Sequence, residues 1–386
     1  MPVRAAGDQR AYADGLGTQH HGDALHDSHN IAAGCRPARG GFLLPRLRPR
    51  ECFQAAKNRV AAWSSTKSVA TSAGTATTGP WLYASHSDQG LDGLSARFHD
   101  HLRARPGHPH RSRPVVLNTW EAVYFDHDLD RLTHLADLGA EVGVERFVLD
   151  DGWFRHRRDD RSGLGDWYVD ETVWPSGLRP LIDHVRAPGM EFGLWVEPEM
   201  VNPDSDLARA HPEWILATGG RTPADRRSQQ VLDLTHPEAY AYILERLDDL
   251  LTEYDIAYLK WDHNRELVDA GHSPSGEPAV HRQTLAVYAL LDELRARHPG
   301  LEIESCSSGG GRVDLAILER TDRVWASDCN DALERQSINR WTGLLLPPEL
   351  VGSHIGAARS HTTGRTPTSP SEPVPRSSVT SASNGT

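Results

Sequence analysis

Residues 240–264 read YAYILERLDDLLTEYDIAYLKWDHN, and the two halves of this stretch follow different periods. In the first half Tyr240, Ile243, Leu244, Leu247 and Leu251 recur at i, i+3, i+4, i+7 and i+11, which is one face of an amphipathic helix. In the second half residues 257–261 form a short β-rich run that stops at Asp262, His263 and Asn264. A helix followed by a strand that ends in polar groups is the repeating unit of a parallel α/β sheet. Working outward, the same texture holds from 80 to 361. Candidate strands lie at 115–118, 147–150, 192–196, 257–261, 301–305 and 324–327, and Leu285, Tyr288, Leu291 and Leu294 mark a further helix. A doubly wound open sheet usually places a Gly-rich phosphate turn after its first strand, whereas residues 117–122 read LNTWEA. The fold expected is therefore a (β/α)8 TIM-type barrel.

Both flanks differ from this middle zone. Residues 1–79 mix His, Gly and Arg without periodicity and read as an irregular or disordered segment; 362–386 are Ser, Thr and Pro, with no Leu, Ile or aromatic residue, and read as a disordered tail. Six strands are placed, and only the weak runs 344–346 and 351–355 follow, so the barrel is expected to be incomplete at its C-terminal end.

Composition excludes several functions. With 41 basic against 53 acidic residues the formal net charge is −12, and no Lys/Arg run tracks a phosphate backbone, so nucleic acid is not an expected partner. No apolar stretch suits a membrane span and no signal-peptide h-region follows the first charges, which argues against a membrane partner. Cys35, Cys52, Cys306 and Cys329 show neither a CxxC pair nor a zinc-finger His spacing. A cytoplasmic setting is expected, with no structural metal and with a homo-oligomer left open. Eleven Trp against seven Phe suits flat sugar rings, although Trp also serves as plain core.

Barrel active sites form at the C-terminal ends of the strands. Those ends carry Asn118 and Trp120; Asp150, Asp151 and Trp153; Trp195, Glu197 and Glu199; Lys260, Asp262 and Asn264; Glu304 and Cys306; Asp328 and Asp331. One such Asp can simply cap a helix, but a succession of six strand ends points to chemistry. Retaining glycosidic cleavage needs an ionised carboxylate and a protonated one roughly 5 to 5.5 Å apart. Composition and spacing alone leave several possible pairs among Asp150, Asp151, Glu197, Glu199, Asp262, Glu304 and Asp328.

The motifs DDGWF (150–154), GLWVEPEM (193–200), KWDHN (260–264), ESCSSGGGR (304–312) and SDCNDALER (327–335) resemble those of the bacterial α-galactosidases of glycoside hydrolase family 36. The resemblance covers about residues 81–363. It implies a retaining α-galactosidase acting on oligosaccharides such as melibiose and raffinose, with no cofactor and no metal. It places the nucleophile on Asp262 and the general acid/base on Asp328. Lys260 beside Asp262 would keep that carboxylate ionised, while Asp328 lacks an adjacent cation and must hold a proton. Substrate binding falls to Trp120, Asp150, Asp151, Arg227 and Lys260, joined at neighbouring strand ends by Trp195 and Asn264. Cys306 and its glycine-rich loop would lie near the sugar 2-hydroxyl. Where many members have ESCSGGGGR this chain has Ser308, which bears on tolerance of a 2-acetamido group.

Two other readings compete. One is a metal-dependent barrel enzyme in which Asp150, Glu197 and Asp262 converge on a divalent cation. The other is an inactive or weakly sugar-binding fragment, since neither the β-sandwich domain that precedes the barrel in the family nor the β domain that follows it is recognisable. On that reading the chain as written is a truncated or reading-frame-damaged copy, poorly folded or inactive in isolation.

Overall fold

The computed structural model describes residues 31–34, 61–68 and 76–366, apart from 274 and 354. Its contacts divide it into two units. One comprises the described parts of Met1–His110, Gly309–Glu319 and Val324–Thr386, and the other Arg111–Ser308 and Arg320–Arg323.

In the first unit β1 (Ile31–Gly34) runs parallel to β3 (Ala76–His86), and β2 (Ala61–Ser68) pairs antiparallel to it. The composition of 1–79 suggests an irregular segment, but its described residues are strands. Serine, threonine and alanine give no periodic pattern, yet their backbones pair as readily as any. The rest of 1–79, and the tail from 367 onward, lie outside the described residues. After β3 comes helix α1 (Gly90–Arg103), whose Leu94 and Phe98 pack with Tyr83 and Leu345.

The second unit is built on a six-stranded sheet. In chain order its strands are β4 (Val116–Asn118), β5 (Arg146–Leu149), β6 (Glu191–Val196), β9 (Tyr258–Trp261), β10 (Glu302–Ser305) and β11 (Arg323–Val324), and neighbours in the sheet follow that order. The ladders from β4 through β10 are all parallel. Between β6 and β9 the short strands β7 (Met200–Val201) and β8 (Gln230–Val231) pair antiparallel in a side ribbon. Every residue of β5 and β9 is buried, as in a sheet covered on both faces. Register pairs Phe147 with Phe192, and their rings stack at 6.5 Å. Gly193 is obligatory because a Cβ there would lie 2.9 Å from the Tyr258 ring.

The helices cover the sheet as their periods imply. Asp128 caps Leu129–Glu141 by accepting the Arg131 N–H at 2.9 Å, and Pro237 opens Pro237–Glu253, where Ile243, Leu244, Leu247 and Leu250 are buried. Helix Val280–Arg297 buries Tyr288, Leu291 and Leu294 as its period implies and departs from it only at Leu285. Leu285 is exposed, and Val287, Tyr288, Leu290, Leu291 and Leu294 form the buried face.

This is a barrel-type parallel sheet with six strands, and all six candidate strands are present. Of the two weak runs, residues 344–346 form a turn, while Val351 makes a single parallel bridge to Val324. At the N-terminal ends of the strands Arg146 is completely buried, reaching Glu191 at 2.6 Å and Glu302 at 2.8 Å. Arg111 pairs with both of these carboxylates, and Arg323 with Glu302. No helix among the described residues is long and apolar enough to cross a membrane.

Candidate active site

The opposite ends of the strands gather the residues singled out in the sequence. At the end of β4, Asn118 donates to Asp150 Oδ2 at 2.5 Å and accepts the Trp120 N–H at 2.9 Å. Asp150 and Asp151 follow β5. Thr119 Oγ1 accepts the Asp150 N–H, and Asp150 Oδ1 accepts the Asp151 N–H. Lys260 Nζ lies 2.8 Å from Asp150 Oδ2, an ion pair with both side chains buried. Trp120 is half-buried, edge-on to Tyr124 and Phe125.

Asp151 is gripped by Arg157, whose Nε and Nη2 donate to its two oxygens at 2.9 and 2.8 Å. Burial raises the Asp151 pKa against the pull of this guanidinium. Arg157 is held in turn by Asn202 Oδ1, and Asn202 donates to the Ser228 carbonyl at 2.6 Å. A carboxylate has roughly four lone-pair sites, so Asp150 and Asp151 each retain capacity for a further donor.

Asp262 follows β9 and is 7% exposed. Its Oδ1 accepts the His263 N–H at 2.8 Å and its Oδ2 accepts Trp195 Nε1 at 3.2 Å. Trp195 is fixed by its place in β6, where its own carbonyl accepts Trp153 Nε1 at 2.9 Å. Burial alone would raise the Asp262 pKa. Lys260, the Asn264 side chain, the His263 N–H and the Cys306 thiol outweigh it, and the carboxyl is held below its ordinary value. Burial likewise works against the Lys260 ammonium, but Asp150, Cys306 and Asp262 hold its pKa well above the usual lysine value.

A second knot fixes Asn264. Its Oδ1 accepts Arg227 Nη1 at 3.0 Å and Ser308 Oγ at 3.2 Å, and Arg227 Nη1 also reaches Ser308 Oγ at 3.0 Å. Arg227 and Ser308 both adopt left-handed backbone, with φ of 55° and 44°. Such strain in non-glycine residues is found where the surroundings over-determine a conformation. Cys306 is buried, with its N–H on the Trp261 carbonyl at 2.8 Å.

The structure thus brings together Trp120, Asp150, Asp151, Trp195, Arg227, Lys260, Asp262, Asn264, Cys306 and Ser308 in one unit. Asp328 belongs to the other unit. There it is half-buried, and its Oδ1 accepts Trp325 Nε1 at 2.9 Å. Asp331 caps helix Ala332–Thr342 through the Leu333 N–H and pairs with Arg365. Arg157 escaped the sequence reading, because RHRRDDR offers four cations in 155–161 and no rule for choosing among them. Asp150, Glu197 and Asp262 do not converge as metal ligands. Among the described residues the group that does is His156, Asp166 and Asp206, where Asp166 already accepts the N–H groups of Asp206 and Leu207.

Reactive side chains at the C-terminal ends of parallel strands define an α/β-barrel domain with its site at the strand-end mouth. The chain belongs to the Melibiase family, whose model matches residues 76–372. It is 54% identical over 290 residues to an α-galactosidase of Escherichia coli, covering 74% of this chain and 40% of that protein. It is 41% identical over 293 residues to the α-galactosidase AgaA of Geobacillus stearothermophilus, again 74% and 40% of the two chains. The crystal structure of AgaA, a family 36 enzyme, superimposes with a TM-score of 0.72 at 40% identity, over 76% of this chain and 42% of that one. An AgaA variant solved in complex with raffinose matches equally well, also at a TM-score of 0.72 and 40% identity over 76% and 42% of the chains. The chain therefore spans about 40% of the length of these curated relatives.

Proposed function

We propose that the chain acts as a retaining α-galactosidase on the terminal α-galactosyl residues of small oligosaccharides such as melibiose and raffinose. The observation that carries the reading is Asp262. It is a buried carboxylate at a strand end, kept ionised by Lys260 and aimed by hydrogen bonds from Trp195 and His263. In the first step the Asp262 carboxylate attacks the anomeric carbon from the β face while Asp328, as general acid, protonates the leaving oxygen. In the second step water, deprotonated by Asp328, displaces Asp262 and restores the α configuration. Asp150, Asp151, Lys260 and Arg227 hold the ring hydroxyls, Trp120 and Trp195 frame the ring, and Asn264, Cys306 and Ser308 line its 2-position.

The family membership and the α-galactosidase activity of the relatives support this reading, as does the ligand of the raffinose complex. A cytoplasmic setting belongs to the same proposal. The test is release of nitrophenol from nitrophenyl α-galactoside by the purified chain, with the β-galactoside as control. Turnover of the α-anomer alone supports the reading, and a folded chain that releases nothing overturns it.

A further inference from the structure

Glu197, the residue after β6, is completely buried and has no part in the chemistry above. Its Oε1 accepts the Asn264 backbone N–H at 2.5 Å, and its Oε2 faces Gln229 Nε2 at 3.3 Å. Asn264 is the residue whose side chain joins Arg227, Ser308 and the Asp262 carboxylate. We propose that Glu197 is a positioning residue: by holding the Asn264 backbone it sets the 262–264 turn, and with it the aim of Asp262. The inference rests on Asp262 being the nucleophile.

A second carboxylate so close to a nucleophile would normally repel it. The charged groups facing Glu197 are Asp262, Arg227 and Arg157. Burial, and then the Asp262 charge, push the Glu197 pKa up to about 8 despite the two guanidinium groups. At neutral pH Glu197 is therefore mainly a neutral acid, which still accepts the Asn264 N–H but adds no anion beside Asp262. Gln229 suits this state. Its buried Oε1 meets no hydrogen-bond partner among the described residues, and a half-turn of the carboxamide would place it opposite Glu197 Oε2, to accept a hydrogen bond from the carboxyl O–H.

The sign with pH follows. A carboxyl with a raised folded pKa keeps its proton while the unfolded chain loses it, so it costs stability progressively as pH rises from the ordinary glutamate value to about 8. Glu197→Gln removes that slope and keeps the acceptor for Asn264.

The experiment uses the full chain with Asn selectively labelled by ¹⁵N, plus the variants Glu197→Gln and Glu197→Ala. In the parent the Asn264 amide shift is expected to titrate with a midpoint near 8, and in Glu197→Gln it stays flat. On nitrophenyl α-galactoside Glu197→Ala is expected to lose about 100-fold in kcat with KM changed less than about threefold, and Glu197→Gln to restore most of the loss. Melting curves identify any variant that fails to fold. An Asn264 amide insensitive to pH in the parent overturns the proposal, as does a folded Glu197→Ala with parental kcat. A parent that releases no nitrophenol while its Asn264 amide titrates sinks the proposed function and leaves the Glu197–Asn264 coupling standing.

Discussion

The two ends of one sheet carry buried charge in opposite ways. At the N-terminal ends Arg111, Arg146 and Arg323 face Glu191 and Glu302, so cations are in excess and each carboxylate has guanidinium partners. The Arg111 hydrogen bonds, with Arg146 behind them, bring the Glu191 pKa down to about 2, and Glu302 is lowered as well, its burial outweighed by Arg146, Arg323 and Arg111. At the C-terminal ends Asp150, Asp151, Glu197 and Asp262 outnumber Lys260, Arg157 and Arg227. There the pKa values diverge: Asp262 falls while Glu197 rises to about 8. A cation-rich cluster in which every carboxylate is paired stabilises, whereas an acid-rich cluster with divergent pKa values is poised for proton and nucleophile work.

The comparison breaks most sharply at Asp262. Asp262→Gly is expected to lower kcat by about 10⁴-fold or more without changing the melting temperature much, and azide should restore part of the rate as the β-galactosyl azide. An α-azide would pass the nucleophile role to another carboxylate. At the other end Arg146→Met should do the reverse. It removes the fully buried guanidinium that Glu191 and Glu302 share, leaving them only Arg111 and Arg323, and is expected to cost at most about 3–5 kcal/mol in denaturant unfolding, while the specific activity of the folded fraction holds. Its stability should also fall less steeply on acidification. Carboxyls with lowered folded pKa contribute stability above their ordinary range and lose it as pH drops through the folded values, about 2 for Glu191. A variant with normal stability would mean that this end does not hold the sheet.

Two smaller effects sharpen the chemical end. Asp328→Ala should slow substrates with poor leaving groups by about 10²–10³-fold, and nitrophenyl substrates far less, since only the former need a proton in the first step. Equal losses would move the acid elsewhere. Lys260→Met should shift the acid limb of kcat/KM upward, because the charge that lowers the Asp262 pKa is gone. An unmoved limb would show that hydrogen bonds alone keep Asp262 ionised.

The same contrast explains what could be read in the sequence. The strands were legible from their apolar runs, and the chemical end from the polar residues that close each run. The other end was not. Reading apolar runs starts β5 at Phe147, β6 at Phe192 and β11 at Val324, yet each begins one residue earlier, at Arg146, Glu191 and Arg323. A charge at a strand start looks like a boundary until its partner appears, and the partner of Arg146 lies 156 residues away at Glu302. Long separation also hid the role of Glu197, whose bond to Asn264 spans 67 residues. The Arg157 grip on Asp151 spans only six, but nothing distinguishes Arg157 from its basic neighbours before folding.

The central claim is that the acid-rich end is a nucleophilic site built on Asp262. The direct test is to incubate the chain with a 2-deoxy-2-fluoro-α-galactosyl donor bearing a good leaving group, digest it, and locate the label by mass spectrometry. The 2-fluoro group slows hydrolysis of the covalent intermediate, so the measurement needs one slow turnover rather than sustained activity. The account predicts a stoichiometric fluorogalactosyl adduct on Asp262 that is absent from Asp262→Gly. Labelling of Asp150, Asp151, Glu197 or Glu304 instead, or a folded chain that never acquires the label, would contradict it.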